Sequence, residues 1–271
     1  RRYTIRANNS LTLPTYFENR FHDKKKVLLF ISSVTIVIFF LVYTASALAA
    51  GGKLFTSVFN VDYKLALTIG AVVILTYTFL GGFMAVCVTD FVQGTLMLIA
   101  LLAVPIMAYS IVGGGNVMST LDASGVAGGS AAYLSLFSNG GEAYKAVDII
   151  SGLAWGLGYF GMPHILVRFM SIEKPSMVKK SATVAIIWVI CALGCACLIA
   201  YFGRMFLAEE LLTAGAQKMV FIDFARKLFP SFIAGILMAA IIAASMSTAD
   251  SQLLVASSSF TSDIYKPIIR K

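Results

Sequence analysis

Residues 234–259 read AGILMAAIIAASMSTADSQLLVASSS, an apolar stretch whose second half carries hydroxyl, carboxylate and amide side chains. About 20 apolar residues are enough for a helix to cross the hydrocarbon core of a bilayer. Because hydrocarbon offers no water to hydrogen-bond with polar groups, such groups at this depth face a cavity, another helix or an ion. The stretch therefore predicts a transmembrane helix with a functional polar face.

The spacing of the polar groups indicates which kind of ligand this polar face binds. Ala244, Ser247 and Thr248 lie at positions i, i+3 and i+4, which places them together on one face of a helix. Neutral backbone and hydroxyl oxygens at this spacing suit a small hard cation. The pattern favours a sodium site formed by these three residues.

The composition indicates an integral membrane protein. Hydrophobic residues make up 59% of the chain, charged residues only 13%, and the mean hydropathy is +0.86, whereas soluble domains carry about 25% charged residues. The net charge of +8 does not indicate a nucleic-acid partner, because the basic residues form short clusters between apolar runs. The expected surroundings are a lipid bilayer.

Six apolar segments are long enough to span that bilayer. If the N-terminal end is cytoplasmic, the cytoplasmic segments hold 14 of the 21 basic residues, so the positive-inside rule favours this orientation. Residues 1–26 and 263–271 are then cytoplasmic, and residues 113–147 and 204–230 form outside loops. An amphipathic pattern over 208–228 predicts an interfacial helix within the second loop. The six predicted spans are 27–50, 63–82, 88–112, 148–170, 181–203 and 231–262.

The fourth predicted span contains the sequence SGLAWGLGYFGMPHILVRFM over residues 151–170, with four glycines and a proline within twelve residues. Such a concentration at membrane depth indicates an interrupted helix, by which secondary transporters expose backbone groups to a solute. Trp155 and Tyr159 lie at i and i+4 beside the break and offer aromatic walls for a small solute. Close helix packing with aromatic lipid anchors explains the same residues equally well.

Three other polar residues have structural interpretations. Thr89 and Asp90 fall where the third predicted span begins, which favours a helix N-cap. Arg168, towards the inner end of the fourth span, is typical of a positive-inside anchor.

Four long segments carry a resemblance to a known family. LTLPTYFENRF (11–21), YTFLGGFMAVCVTDFVQG (77–94), WGLGYFGMPHILVRFM (155–170) and AGILMAAIIAASMSTADSQLLVASSSFTSDIYK (234–266) resemble the sodium:solute symporter family, in the same order and at compatible spacings. The resemblance implies an all-α integral membrane fold with a five-plus-five inverted repeat of the LeuT type. It covers the family's fourth to ninth helices, so the chain is expected to be an internal fragment that does not transport by itself.

The resemblance also implies residue roles. It places sodium at the carbonyl of Ala244 and the hydroxyls of Ser247 and Thr248, in agreement with the helical face described above. It places a substrate, L-proline, among four residues, of which one comes from the second span and three from the broken span. These four are Tyr77, Trp155, Tyr159 and Pro163.

Two positions depart from the family pattern. Met162 stands where a glutamine is expected, which alters the polarity of the substrate pocket. Asp250 stands where a small neutral residue is usual, three residues beyond Ser247. Two interpretations of Asp250 remain open: it modulates the ion site by strengthening sodium binding or coupling a proton, or it lies in a wet inner vestibule or pairs with a basic residue.

The activity implied by the resemblance is sodium-coupled uptake of L-proline by alternating access, in a bacterial cytoplasmic membrane. Sodium is then a transported ion and not a prosthetic group. The alternatives are a sodium symporter for another amino acid, a carboxylate or a sugar, and a non-transporting membrane protein that retains the fold. An enzyme is not expected, since the sequence contains no glycine-rich phosphate loop, GxSxG or HExxH signature.

Overall fold

Helices dominate the computed structural model, which describes residues 1–113, 117–123, 125, 129–139, 142–207 and 216–270. Four helices in this part of the chain are long and apolar enough to cross a membrane, and a bent helix pair adds a fifth span if it is counted as one. The helices are α1 (Arg2–Arg6), α2 (Leu13–Phe21), α3 (Val27–Phe59), α4 (Tyr63–Val112), α5 (Val117–Ala123), α6 (Gly129–Tyr133), α7 (Ala146–Gly158), α8 (Pro163–Ser171), α9 (Met177–Phe206), α10 (Val220–Leu228) and α11 (Ser231–Ser258). Strands β1 (Ser138–Asn139) and β2 (Glu142–Ala143) pair antiparallel, and short 3-10 turns cover Tyr159–Gly161 and Ala216–Met219.

Helix α4 contains a break at Gly82. Its 50 residues would extend about 75 Å as a straight helix, more than twice the roughly 30 Å of a bilayer core. Gly82 has φ 54° and ψ −149°, a region that is open essentially to glycine alone. The spans predicted at 63–82 and 88–112 are therefore joined by a kink and not by a loop. For this reason the six predicted spans correspond to four long helices and one bent pair.

The other long helices extend beyond their predicted bounds. The span predicted at 27–50 continues to Phe59, and the one predicted at 181–203 lies within α9. After α11 the backbone continues as a π-helix, Ser259–Ile269. Residues 263–269, predicted as part of a cytoplasmic tail, are thus helical. The assignment of segments to the two sides of the membrane stays a prediction.

The two predicted loops contain short elements. The first, 113–147, includes α5, α6 and the strand pair, while its residues 114–116, 124, 126–128 and 140–141 lie outside the described part. The interfacial helix predicted over 208–228 corresponds to α10, and residues 208–215 lie outside the described part. Helix α10 buries one apolar side, including Phe224, and places Asp223, Arg226 and Lys227 among its first and last turns.

The chain divides into two compact units. The first comprises Arg1–Gly94, Gly158–Ala185 and Ile241–Lys271. Within it α3 packs against α11 through Ile36, Phe40, Val255 and Ala256, with Leu13 of α2 beside them. Thr12 is the N-cap of helix α2, since its Oγ1 accepts a hydrogen bond from the Thr15 backbone N–H at 3.3 Å.

The second unit comprises Thr95–Leu157 and Ile186–Ala240. Its core brings the second part of α4 together with α9, α10 and the beginning of α11. Small residues dominate the α4 and α11 sides, which allows close helix approach. The buried residues are Ala100, Val104, Ala108, Ile199, Phe202, Phe224, Ala225, Ala234, Leu237 and Ala240.

Large apolar side chains cover the outside of the long helices. Only 17–28% of each apolar span window is buried within the chain, and side chains such as Phe79 and Phe232 expose 80% or more of their surface. Exposed apolar area of this extent marks contact with lipid or with further helices. The described helices therefore form part of a multi-pass membrane protein.

Candidate functional site

The predicted sodium residues lie on one turn of α11. The hydroxyls of Ser247 and Thr248 both donate to the carbonyl oxygen of Ala244, at 3.1 and 3.0 Å. Since each hydroxyl donates its one proton inside the helix, its oxygen lone pairs remain available for a cation. All three residues are half-buried. The turn thus presents three clustered oxygens and no charge.

The neighbouring face of α11 contacts α3 closely. The hydroxyl of Ser245 donates to the Ala47 carbonyl at 2.9 Å, and a Cβ built on Gly51 would lie 2.7 Å from that hydroxyl oxygen. Only glycine leaves room for this approach. The contact holds α11 against α3 directly beside the turn that carries Ala244, Ser247 and Thr248.

Asp250 lies one turn further along α11 and is fully buried. Its Oδ2 accepts a hydrogen bond from the Tyr77 hydroxyl at 2.6 Å, and its Oδ1 lies 3.3 Å from the Ser251 hydroxyl. The distance to Tyr77 is typical of a charge-assisted O–H···O⁻ bond. A candidate substrate residue and the candidate modulator of the ion site are therefore in direct contact.

A partly buried ion pair continues this polar network. Arg168 of α8 pairs with Asp90 of α4, and the same guanidinium nitrogen donates to the Ser251 hydroxyl at 2.7 Å. The Ser251 hydroxyl lies 3.0 Å from Asp90 Oδ2. Thr89 bonds to carbonyls of its own helix, at Ala85 and Val86. The N-cap predicted for Thr89 and Asp90 is wrong, because both lie inside continuous helix.

Several buried polar atoms near this network have no hydrogen-bond partner among the described residues. They include Asp90 Oδ1, Gln93 Oε1, and Oε1 and Nε2 of Gln252. His164 Nδ1 also has no hydrogen-bond partner among the described residues. The centroid of its ring lies 5.7 Å from that of the Phe40 ring, in an edge-on contact. Buried polar groups are normally satisfied, so these atoms indicate sites where water, solute or further protein binds.

The broken span confirms the interrupted helix predicted from its glycines and proline. The 3-10 turn Tyr159–Gly161 is followed by Met162 in extended conformation, with φ −67° and ψ 113°, and Pro163 starts α8. The Met162 carbonyl accepts bonds from the N–H groups of Ile165 and Leu166, at 3.1 and 3.0 Å. Proline suits this position because its missing N–H is not needed in a first turn.

The structure describes the surroundings of each predicted substrate residue separately. Tyr77 and Pro163 are half-buried, whereas Tyr159 exposes 54% of its surface, and the described residues include no hydrogen bond or ring contact between Tyr77 and Tyr159. Trp155 belongs to the second compact unit and exposes 76%. The bond of Tyr77 to Asp250 is the contact that the sequence did not predict, since nothing in either segment signals the other.

A cavity of about 520 Å³ lies beside the network in the first unit. Its lining combines cationic and hydroxyl side chains with apolar ones, and its volume is within the usual range of roughly 300–1,000 Å³ for ligand pockets. The lining residues do not include the predicted substrate residues Tyr77, Trp155, Tyr159 and Pro163. The lining includes His164, Arg168, Ser251, Phe83, Leu254 and Thr12.

Comparison with known protein families matches residues 2–271 to the sodium:solute symporter family. The chain belongs to this family. It is 42% identical over 268 residues to a sodium/proline symporter of Salmonella typhimurium, 41% over 274 residues to one of Escherichia coli, and 42% over 266 residues to one of Staphylococcus aureus. These alignments cover 97–99% of the chain but 50–53% of the relatives. The chain thus spans about half the length of the curated relatives it matches.

Membership of the sodium:solute symporter family agrees with the membrane helices. The family consists of sodium-coupled transporters and not of enzymes. Sodium is accordingly a co-transported ion in this family and not a resident cofactor. The inverted repeat implied by the resemblance stays a prediction.

Proposed function

We propose that the full-length protein carrying this chain is a sodium-coupled L-proline transporter of a bacterial cytoplasmic membrane. The observation that carries the proposal is the turn of α11 with the oxygens of Ala244, Ser247 and Thr248 clustered on one face. The relatives named sodium/proline symporters, at about 42% identity over nearly the whole chain, support the choice of solute.

Sodium binds, in this proposal, to the three oxygens of the turn together with further groups of the full-length protein. Three neutral ligands do not neutralise the ion, so it can be released as well as bound, as a transport cycle requires. A monovalent cation moving inward also gains about 2.3 kcal/mol per 100 mV of membrane potential.

Proline binds beside the broken span, among Tyr77, Trp155, Tyr159 and Pro163. The aromatic faces contact its ring, and the interrupted backbone at Met162 offers polar groups to its charged ends. The solute and sodium each stabilise the state that binds both, so each must tighten binding of the other by the same factor. Release of sodium on the inner side then lowers the affinity for proline.

Uptake of labelled proline into vesicles containing the full-length protein tests this function. Accumulation is expected with an inward sodium gradient and not without one. The variant S247A/T248A should raise the sodium concentration for half-maximal uptake at least about tenfold, because two of the three oxygens are lost. The control S32A/T35A removes two exposed hydroxyls that also bond to their own helix, and normal uptake is expected.

Two outcomes would revise the proposal. Sodium-driven uptake of another solute, with proline inert, would retain the ion site and correct the substrate, and Met162 is then the first position to exchange for glutamine. Proline flux that does not depend on sodium would contradict coupled transport altogether.

A further inference from the structure

A short hydrogen bond connects Tyr77 of α4 with Asp250 of α11. The two residues are 173 positions apart, the Tyr77 hydroxyl lies 2.6 Å from Asp250 Oδ2, and Asp250 is fully buried. Both belong to the first compact unit. The phenol is therefore held in one orientation by a group on the helix that carries Ser247 and Thr248.

The direction of this bond determines what Tyr77 can offer to a solute. A phenol has one O–H donor, and its oxygen also accepts hydrogen bonds. In this bond the Tyr77 O–H is the donor and Asp250 Oδ2 is the acceptor, so the Tyr77 proton is committed to Asp250. The phenol oxygen then presents only lone pairs. The Gln93 side chain hydrogen-bonds to this oxygen, and the remaining lone pair binds an N–H donor and repels a carboxylate oxygen.

The neighbours of Asp250 also leave the Tyr77 hydroxyl as the donor to its carboxyl group. The charged side chains in contact with this network are Asp90 from α4 and Arg168 from α8. Arg168 pairs with Asp90, whereas the described partners of Asp250 are the hydroxyls of Tyr77 and Ser251. Asp250 therefore has no direct cationic partner within the described residues, and the Tyr77 hydroxyl is the donor to its Oδ2.

We propose that Asp250 is a positioning residue of the substrate site, which makes Tyr77 a hydrogen-bond acceptor for the amine of the solute. The role rests on the proposed function, because that function places Tyr77 beside proline. The role goes beyond the proposed function by assigning recognition of the ammonium end of the solute to the Tyr77–Asp250 pair. It also connects this recognition to the turn of α11 that holds sodium.

The test compares two competitors of labelled uptake by the full-length protein in vesicles: proline, and the ring analogue tetrahydrofuran-2-carboxylate, in which oxygen replaces the amine. The variants are D250A, D250N, Y77F and Y77F/D250A. D263N is the matched control, since Asp263 is also fully buried and hydroxyl-bonded on the same continuous helical segment but contacts Thr12, Thr15 and Ser259.

The unaltered protein should bind proline far better than the analogue. D250A and Y77F should each raise the KM for proline about tenfold and reduce the preference over the analogue by a similar factor, as expected for loss of a hydrogen bond to a charged group. Y77F/D250A should equal either single variant within about threefold, because both remove the same contact. D250N keeps an acceptor oxygen and should stay within about threefold of the unaltered KM, and D263N should leave KM and preference unchanged.

Three results would overturn this role. The first is a D250A variant with unchanged KM and preference. The second is a double variant in which the effects of D250A and Y77F multiply. The third is an equal rise of the half-saturating sodium concentration in D250A and D250N, with or without Y77F, which would make Asp250 an ion-site residue instead. Failure of the proposed function looks different, because the unaltered protein would then not take up proline with sodium. If it takes up another amine-bearing solute, the same variants are judged with that solute and its deaminated analogue.

Discussion

Two buried carboxylates lie thirteen residues apart on one continuous helical segment and serve different parts of the molecule. Asp250 of α11 contacts Tyr77 and Ser251, which border the Asp90–Arg168 pair. Asp263 of the π-helix accepts hydrogen bonds from Thr12 and Thr15 of α2, at 2.8 Å each, and from Ser259 at 3.3 Å. Both are fully buried and both use hydroxyl donors.

The difference shows what burial alone does not reveal. A buried carboxylate must be hydrogen-bonded wherever it lies, so burial does not distinguish a functional group from a structural one. The distinction comes from the partners: Asp250 contacts a candidate substrate residue, and Asp263 contacts an N-terminal segment. Substitutions in the two regions should therefore affect different measurements.

The largest expected effect is that of R168M in the Asp90–Arg168 pair. Removing the guanidinium leaves Asp90, only 14% exposed, without its cation. Breaking a fully buried pair costs about 3–5 kcal/mol, and the partial exposure of Arg168 reduces this to about 2–3 kcal/mol. The thermal midpoint in detergent should fall clearly, and D90N/R168M should recover much of the loss.

K180M is the control, since Lys180 is an exposed basic residue and should change the midpoint little. If R168M behaves like K180M, the pair does not hold α4, α8 and α11 together. The network around Asp250 would then rest on its hydroxyl bonds alone.

A smaller effect is expected for T12V/T15V in the Asp263 region. The double variant removes both donors to Asp263 Oδ1 and should lower stability by about 2 kcal/mol, because a buried acceptor is left unsatisfied. The KM for solute and the half-saturating sodium concentration should stay within about twofold. T35V, which removes an exposed hydroxyl bonded within its own helix, should change neither quantity.

A changed sodium dependence in T12V/T15V would erase the contrast between the two regions. It would mean that the N-terminal segment acts on the ion site through α11. Limited proteolysis of residues 1–26 provides a second readout, since release of α2 should increase cleavage there in the double variant only.

The smallest expected effect is that of G51A at the contact of α3 with α11. The added Cβ would meet Ser245 Oγ at 2.7 Å and displace that hydroxyl from the Ala47 carbonyl, at a cost of about 1 kcal/mol. G51A/S245A should be more stable than G51A, because the colliding oxygen is gone. Equal midpoints for these two variants would show that the collision is relieved elsewhere, and G70A, where a Cβ meets nothing within 4 Å, controls for helix propensity.

The sequence predicted much of the fold because membrane helices follow local rules. Apolar length predicted the spans, and the glycines before Pro163 predicted the break that begins at Tyr159–Gly161. The helical spacing of Ala244, Ser247 and Thr248 predicted their common face, which the bonds to the Ala244 carbonyl confirm. The sodium and substrate roles of these residues stay predictions.

The sequence did not predict the kink at Gly82 or the role of Asp90. Gly81-Gly82 was compatible with either a loop or a kink, and only the positive φ of Gly82 separates the two. Asp90 was interpreted as a cap because a polar residue near a predicted helix start is usually one. Its actual partner, Arg168, lies 78 positions away, and no local sequence pattern predicts such a pairing.

The sequence by itself thus determined that this chain is helical, apolar and broken at one span, and that its oxygens gather on one turn of α11. These properties depend on residues within a few turns of one another, where helix geometry and the absence of water leave few alternatives. Only the tertiary structure decided that Asp250 bonds to Tyr77 while Asp263 bonds to α2. The reason is that a buried carboxylate accepts from whichever donors the packing of distant helices brings within reach.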